Sequence, residues 1–375
     1  MHPHKKTAFI LLILLIVLLG SVFLLIATIR STNIAYGLGS PSEQLSFPQK
    51  MRYSLQVYLN RENLVNQVTP SDKKKSFVIE QDESVQSVCN HLGLLYPHFS
   101  SSLCRNYLVY RGLDRKIEPG TYSIPTGFPS FMVYNHIADP MNRNRNLVIF
   151  AGWRIEEIAE AVNQLGLRYV NGQSLLDALK NPEERLVSQF SLSSGQSLEG
   201  YILPGQYLLE REVDMDSLLT ALTSPLSAQM ASENLAGRAK AMGLHLKELL
   251  TLASIIQRET LRSDEMPVIA SVFLNRLAQD MPLQTDPTVQ YALGFQESWW
   301  KAVLTKADLQ VNSPYNTYLN KGLPPGPIAS PGMDAIKAVL NAEKTDFLFF
   351  RAKCDGSSYH HFSVTYQEHL DKACP

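Results

Sequence analysis

The sequence has little charge and no excess of either sign. Only 18% of its 375 residues are Asp, Glu, Lys or Arg, and 34 basic against 35 acidic residues leave a formal net charge of -1. Proteins that bind nucleic acid usually carry a broad basic field, so this balance argues against nucleic acid as a partner. It suits a neutral or mixed-charge substrate better than a polyanion.

The motifs of several well-known sites are also missing. The chain contains no H-E-x-x-H or other metal-ligand spacing, no G-x-S-x-G elbow, no P-loop and no G-x-G-x-x-G turn. Its four cysteines form no C-x-x-C pair, which argues against redox chemistry and against a zinc site. We therefore expect no metal and no cofactor.

The four cysteines fall into two close pairs. Cys89 and Cys104 are 15 residues apart, and Cys354 and Cys374 are 20 residues apart. This spacing suggests two local disulfides, although four cysteines allow three pairings. Buried free thiols are the alternative for each pair.

One long apolar run stands near the N-terminus. Residues 7–29 carry no charge, and as a helix with a rise of about 1.5 Å per residue they can span about 30 Å of hydrocarbon. Lys5 and Lys6 precede the run, which favours a cytoplasmic N-terminus and an exported remainder. A cleaved signal peptide is the alternative, but its apolar core is shorter, at about 7–15 residues. We expect an uncleaved single-pass anchor.

A faint internal repeat follows, with an offset of about 70 residues. Each copy opens with a short apolar run, at 77–79 and again at 147–149. A turn and apolar residues at helical spacing come next: Val85, Val88, Cys89 and Leu92 in the first copy, and Ile155, Ile158, Ala159 and Val162 in the second. We predict two strand–turn–helix units, and a strand that returns at 119–124. Such units are common in carbohydrate-binding modules and in ordinary α/β packing.

A turn segment at 198–207 follows the second copy. Pro204-Gly205 separates two apolar runs that carry aromatic residues. Glu199 lies in this segment, and we expect it to be an exposed loop carboxylate; a functional carboxylate is the alternative.

Residues 245–261 form the clearest predicted helix. Its apolar stripe consists of Leu249, Leu252, Ala253 and Ile256. The same alternation places position 259, a glutamate, on the buried face. Burial disfavours the ionised form of a carboxyl group and raises its pKa, which a general acid at neutral pH requires. The alternative is a helix that ends near residue 258 and leaves Glu259 on the surface.

Three further blocks lie along the chain. They are Leu283-Gln284-Thr285-Asp286-Pro287-Thr288, Pro314-Tyr315-Asn316-Thr317-Tyr318 and Gly322-Leu323-Pro324-Pro325-Gly326-Pro327-Ile328-Ala329. The last block is too rich in Pro and Gly for a helix or an inner strand, and it predicts a shaped surface loop of the kind that often lines sites.

Together with residues 252–260, these blocks resemble the signature blocks of the YceG-like endolytic murein transglycosylases, in their order and in their spacing. The resemblance runs from about residue 75 to near the C-terminus. It implies that Glu259 is the catalytic residue and that Asp286 lines the cleft beside it. Gln284, Tyr315 and Asn316 belong to the matched blocks and are candidates for binding the substrate.

The sequence departs from the family pattern in three places. Gln257 stands where many members have a second glutamate, which leaves Glu259 as the one acid of that motif. Phe150-Ala151-Gly152 replaces the usual Pro-Glu-Gly turn, and Pro204-Gly205-Gln206-Tyr207 replaces Pro-Asp-Thr-Tyr. The two upstream changes put glycan contacts by the upstream modules in doubt.

We predict an α+β protein with a single N-terminal transmembrane helix, LysM-like small α/β modules and a mixed α+β catalytic domain. The LysM-like part is implied by the resemblance and coincides with the internal repeat. The expected segments are a cytoplasmic N-terminus (1–6), a transmembrane anchor (7–29), a stalk (30–75), a LysM-like region (76–210) and a catalytic transglycosylase domain (211–375).

The resemblance implies an endolytic lytic transglycosylase of peptidoglycan. Such an enzyme cleaves the β-1,4 bond between N-acetylmuramic acid and N-acetylglucosamine, leaves 1,6-anhydro ends and terminates nascent glycan strands. The implied partners are glycan strands, the bacterial inner membrane, and peptidoglycan synthases or divisome proteins, with the catalytic domain on the periplasmic side. Two alternatives stay open: a non-catalytic peptidoglycan-binding or divisome scaffold protein, and a hydrolytic muramidase that activates water through Asp286.

Overall fold

The computed structural model describes residues 3–70, 73–193, 195–295 and 298–374. Residues 1, 2, 71 and 72, which belong to the predicted N-terminal segment and stalk, lie outside this description. The chain divides into two compact units, Met1–Asn144 and Arg145–Pro375. The secondary structure of the described residues consists of helices and three two-stranded antiparallel sheets. The predicted mixed α+β class is therefore confirmed.

A long apolar helix begins the first unit. Helix α1 spans Pro3–Ala35. Its segment Leu11–Ala35 has a mean hydropathy of 3.1, and only 6% of its most apolar stretch is buried. Among the described residues it is the one helix long and apolar enough to cross a membrane. Near its end, Asn33 is fully buried and donates to the carbonyl of Ser54 at 3.2 Å. Helix α1 therefore fits a single-pass anchor whose last turns pack on other residues of the same unit.

Two helices occupy much of the segment that we expected to be a stalk. They are α2 (Phe47–Leu59) and α3 (Arg61–Asn66). The start of α2 is capped, because the side-chain oxygen of Gln49 accepts the Ser46 N–H at 2.9 Å. Val57 and Leu64 are the fully buried residues of these helices. Because so few of its residues are buried, the segment lacks the regular spacing of apolar residues that would predict a helix.

The first copy of the predicted repeat forms a β-α-α-β arrangement. Its elements are β1 (Lys75–Ile79), α4 (Val85–Leu95), α5 (Ser101–Arg111) and β2 (Gly120–Ile124), and α6 (Ser130–Ile137) follows. The two strands pair antiparallel with Phe77 opposite Tyr122, and a disulfide between Cys89 and Cys104 joins α4 to α5. The predicted strand–turn–helix unit and its returning strand are confirmed.

The second copy opens the second unit and has one more helix. Its elements are β3 (Arg145–Ile149), α7 (Ile155–Gln164), α8 (Gly172–Lys180), α9 (Glu184–Phe190) and β4 (Gly205–Leu209). Strands β3 and β4 pair antiparallel with Leu147 opposite Tyr207. The second strand–turn–helix unit is also confirmed, whereas the LysM-like character of both copies stays a prediction.

The rest of the second unit is mainly helical and ends in a small hairpin. Its elements are α10 (Met215–Ser232), α11 (Leu235–Ala241), α12 (Leu246–Glu259), α13 (Met266–Ala278), α14 (Asp286–Leu293), α15 (Met333–Leu340), β5 (Phe349–Ala352), β6 (His360–Ser363) and α16 (Tyr366–Asp371). A second disulfide, Cys354–Cys374, ties the β5–β6 turn to the end of the chain. Both local pairings that the spacing suggested are present.

Helix α12 lies at the centre of this unit. Every residue from 249 to 256 is at most 1% exposed, including the four residues of the predicted stripe. The predicted stripe covers too narrow a face of the helix, because α11, α13, α14 and α15 all pack on α12 and bury it on all sides. The first and last residues of the helix leave this apolar core, and Glu259 is the last residue of its C-terminal end.

Candidate active site

Glu259 lines a cavity of about 310 Å³ in the second unit. The cavity wall comes from α13, from the loop before α14, from the first residue of α14 and from the C-terminal hairpin with α16. The helix does end at Glu259, as the alternative supposed, but the side chain is half-buried at this cavity and not on an open surface.

The environment of Glu259 favours its neutral form. Burial raises the pKa of its carboxyl group to about 8; the charge of Asp286 adds to the rise and the charge of Arg276 opposes it. The group therefore holds its proton at neutral pH, which is the state in which a carboxylic acid can donate.

Asp286 and Tyr318 form a hydrogen-bonded pair in the same cavity. Asp286 begins α14, and its Oδ1 accepts the hydroxyl of Tyr318 at 2.6 Å. Burial raises the pKa of Tyr318, and both this hydrogen bond and the nearby carboxylates add to the rise. The phenol thus stays protonated and keeps donating, so it holds Asp286 in one position at the cavity.

The loop before α14 is built onto the block at 314–318. Gln284 has a left-handed backbone with φ of 51°, and its N–H donates to the carbonyl of Thr317 at 3.1 Å. The next N–H, of Thr285, donates to Thr317 Oγ1 at 3.0 Å. This pairing turns the exposed side chain of Gln284 to the cavity that Glu259 lines.

Arg276 is a residue of this site that the sequence argument missed. It is 8% exposed; its Nε donates to the carbonyl of Leu348 at 2.6 Å and its Nη1 to that of Leu283 at 2.8 Å. The guanidinium also lies 5.1 Å from the ring centre of Phe349. Arg276 therefore ties α13 to two other walls of the cavity. The available signal was a basic residue inside the apolar run of α13.

Of the predicted site residues, Glu259, Asp286 and Gln284 meet in this cavity, whereas Asn316 does not line it. Asn316 is fully buried. Its Nδ2 donates to two backbone carbonyls at 3.0 and 2.9 Å, and its Oδ1 accepts the N–H of Tyr318 at 3.0 Å. The amide is thus used within its own loop, where it positions Tyr318.

Tyr315 lines a different cavity, together with Glu199. The expectation that Glu199 is an exposed loop carboxylate is wrong, since it is 2% exposed. The reason lies at Gly200, which has φ of 77° and packs so closely that a Cβ there would lie 2.3 Å from Pro327. Only glycine allows that turn and that approach, and the turn carries the preceding carboxyl group inward.

Gln257, the departure from the family pattern on α12, has a structural contact. Its side-chain oxygen accepts the N–H of Gly332 at 3.0 Å. This bond fixes the loop that follows the Pro- and Gly-rich block, and it needs an acceptor but no acid. Position 257 can therefore lose its glutamate without loss of the contact.

The fold and the site define an α+β protein with one apolar N-terminal helix and one protonated carboxylic acid at a polar cavity. The chain belongs to the YceG-like family, whose model matches residues 77–374, and the resemblance drawn from the motifs is confirmed.

Named relatives and a solved structure agree with this assignment. The chain is 36% identical over 274 residues to a Bacillus subtilis protein named endolytic murein transglycosylase, covering 70% of this chain and 74% of that protein. It is 32% identical over 222 residues to a Streptococcus pneumoniae protein of the same name, covering 55% of this chain and 40% of that protein. The crystal structure of a yceG-like protein from Listeria monocytogenes matches with a TM-score of 0.56 at 28% identity, covering 80% of this chain and 99% of that one.

Proposed function

We propose that the chain is a lytic transglycosylase that cuts peptidoglycan glycan strands internally, between N-acetylmuramic acid and N-acetylglucosamine. The observation that carries the proposal is the position of Glu259, half-buried at the wall of a polar cavity whose environment raises its pKa. The named relatives support the same activity.

In the first step Glu259 acts as the general acid. It gives its proton to the glycosidic oxygen while the bond between that oxygen and C1 of the muramic acid breaks. The leaving strand then ends in a 4-hydroxyl group, and positive charge develops at C1 and the ring oxygen. The negative charge of Asp286, held by Tyr318 at the same cavity, stabilises this transition state.

In the second step the substrate supplies the nucleophile. The ionised Glu259 accepts the proton of the muramoyl 6-hydroxyl as that oxygen bonds to C1. The product is a 1,6-anhydro ring, Glu259 is protonated again, and no water is consumed. Because the attack is intramolecular, proximity replaces a bound nucleophile, and one well-placed acid is enough where ordinary glycosidases need two carboxylates.

We propose that this chemistry takes place at the outer face of a bacterial inner membrane. Helix α1 has Lys5 and Lys6 on its N-terminal flank, which favours a cytoplasmic N-terminus and a periplasmic second unit. There the enzyme meets nascent strands as they leave the peptidoglycan synthases, and we propose that it terminates them in association with those enzymes or with divisome proteins. The two modules, β1–β2 and β3–β4 with the helices between their strands, are proposed to be LysM-like.

The test is the chemistry of the ends that the protein makes. Purified sacculi are digested with the full chain in detergent, and the products are identified by mass spectrometry. We expect 1,6-anhydro-muramoyl ends. Reducing muramic ends would instead identify a hydrolytic muramidase, for which Asp286 beside Glu259 would be the second carboxylate. No cutting would refute both activities and leave a binding or scaffold protein.

The rate of cutting should depend on pH through Glu259. Because the protonated acid is the active form, kcat/KM should be nearly constant below its pKa of about 8 and fall about tenfold per pH unit above it. The charge of Asp286 raises this pKa, so Asp286→Asn should move the alkaline limit to lower pH. Release of anhydro ends, measured from about pH 5 to about pH 10, checks both statements. An alkaline limit unchanged in Asp286→Asn would contradict the coupling.

A further inference from the structure

The second unit contains another cavity, of about 410 Å³, with a buried acid in its wall. The acid is Glu199, which is 2% exposed. Tyr315 and the segment 325–327 form part of the same wall, and the side chains of Lys180 and Lys247 also line the cavity. The mechanism proposed above uses none of these residues.

The hydrogen bonds of Glu199 leave one of its oxygens without a partner. Oε2 accepts the N–H of Ile155 at 3.3 Å and the hydroxyl of Tyr291 at 3.4 Å. Oε1 is buried and makes no hydrogen bond of good geometry within the described part of the chain, although the N–H of Gly200 is near enough to act on the carboxyl group. Because two donors already point at Oε2, a proton on Glu199 belongs on Oε1, where it is a donor without an acceptor.

The environment of Glu199 favours its neutral form at neutral pH. Burial raises its pKa to about 8; the charge of Glu156 adds to the rise, whereas the charge of Arg154 and two backbone N–H groups oppose it. A neutral Glu199 adds a hydrogen-bond donor to the cavity and no negative charge.

Lys247 then supplies the uncompensated positive charge of the cavity lining. Lys180 pairs with Glu156 at 3.2 Å and is half exposed. Among the described residues no ion pair engages Lys247, and Glu199 is the only acid of the lining. The ammonium group of Lys247 and the carboxyl group of Glu199 in one lining suit a ligand that brings both negative charge and acceptor oxygens. A carboxylate meets both requirements.

The block at 314–318 connects this cavity to the one that Glu259 lines. Tyr315 lines the second cavity and Tyr318 the first. The two residues are three positions apart, so their Cα atoms lie within about 11 Å of each other. Helix α12 makes the same connection, with Lys247 about 18 Å along the helix from Glu259. A separation of this size corresponds to a few sugar rings of an extended strand.

We propose that the second cavity binds a carboxylate of the peptidoglycan strand through Lys247, Lys180 and Glu199. Two groups on the strand offer this chemistry: the lactyl carboxylate of a muramic acid without its peptide, and a carboxylate of the stem peptide. The proposal rests on the proposed function, and it assigns the cavity as a subsite that recognises the charged parts of the substrate.

Binding to four small probes tests this subsite. The full chain carrying Glu259→Gln, which cannot cut, is titrated in detergent by calorimetry. The probes are the N-acetylglucosaminyl–N-acetylmuramic acid disaccharide with a tetrapeptide, the same disaccharide without peptide, the tetrapeptide alone, and chitobiose, which has no carboxylate. We expect at least one carboxylate probe to bind about tenfold more tightly than chitobiose. Tighter binding of the peptide-free disaccharide identifies the lactyl carboxylate as the ligand. Tighter binding of the tetrapeptide probes identifies a carboxylate of the stem peptide.

Substitutions assign the binding to this cavity. Lys247→Gln should weaken the preferred probe about fivefold and leave chitobiose unchanged, whereas Lys344→Gln, an exposed lysine outside the lining, should change neither. Glu199→Gln should keep the affinity within about twofold, because the amide donates as the protonated acid does.

Three results would overturn the proposal: equal affinity for all four probes, a Lys247→Gln chain that binds like Lys344→Gln, or a Glu199→Gln chain that loses the carboxylate preference. None of these measurements needs cutting activity. A wild-type chain that binds the carboxylate probes but leaves sacculi intact would refute the proposed function and not the subsite.

Discussion

Replacing Glu259 with glutamine is expected to lower kcat for strand cutting about a thousandfold, within the range for loss of a general acid. Glutamine keeps the size and the hydrogen-bonding atoms of the protonated glutamic acid, but it has no proton to give to the glycosidic oxygen. The proposed mechanism contains no second acid, since Asp286 is placed as a charged neighbour of the reacting sugar. Release of anhydro ends from sacculi by the full chain in detergent measures the loss.

The fold should survive this substitution. Folding raises the pKa of Glu259 from its ordinary value of 4.5 to about 8. A carboxyl group of this kind contributes its stability below its ordinary pKa, and that contribution is lost as the pH rises toward 8. Glutamine does not titrate, so the Tm of Glu259→Gln at pH 7 should equal or exceed that of the wild type.

Glu343→Gln, a change at an exposed glutamate outside the cavity, is the matched control and should keep full activity. If Glu259→Gln kept more than about a tenth of the wild-type kcat, Glu259 would not be the acid.

A local pattern could predict one part of the site, the end of α12, and one part of the fold, the repeat. Glu259 was found because helical spacing continues to the last residue of α12, and the repeat was found because each copy starts with an apolar run and a turn. Local spacing determines which face of a helix is apolar. It does not determine how many neighbours cover the helix, which is why burial of α12 on all sides was not predicted.

The parts that could not be predicted depend on contacts between distant positions. Glu199 is buried because Gly200 packs on Pro327, which is far along the chain, and nothing around residue 199 indicates that contact. Tyr315 and Tyr318 share one block and yet line different cavities. The sequence shows that this loop carries aromatic residues near a site, but the direction of each ring depends on the burial of Asn316 between them.

Arg276 is the clearest example of a residue that local sequence could not assign to the site, and its substitution is expected to have a large effect on stability. Its hydrogen bonds reach the carbonyls of Leu348, Leu283 and Pro282, the last at 3.3 Å. Arg276→Met keeps the apolar stem but leaves these carbonyls without their donor in a buried place. Each unsatisfied buried acceptor costs about 1–3 kcal/mol, so we expect the free energy of unfolding to fall by about 3 kcal/mol. Urea unfolding of the full chain in detergent measures it.

The same substitution should move the pH profile in the direction opposite to Asp286→Asn. The charge of Arg276 lowers the pKa of Glu259, so its removal should raise that pKa and shift the alkaline limit of cutting to higher pH. Arg276→Lys keeps the charge with fewer donors, and it should lose part of the stability while keeping the limit near that of the wild type. Arg238→Met removes an arginine at the surface, bonded to Asn341, and should cost less than about 1 kcal/mol. If Arg276→Met lost no more free energy of unfolding than Arg238→Met, Arg276 would not be the residue that holds the cavity walls together. Opposite shifts of the alkaline limit in Arg276→Met and Asp286→Asn would show that one acid, Glu259, titrates between a cation and an anion.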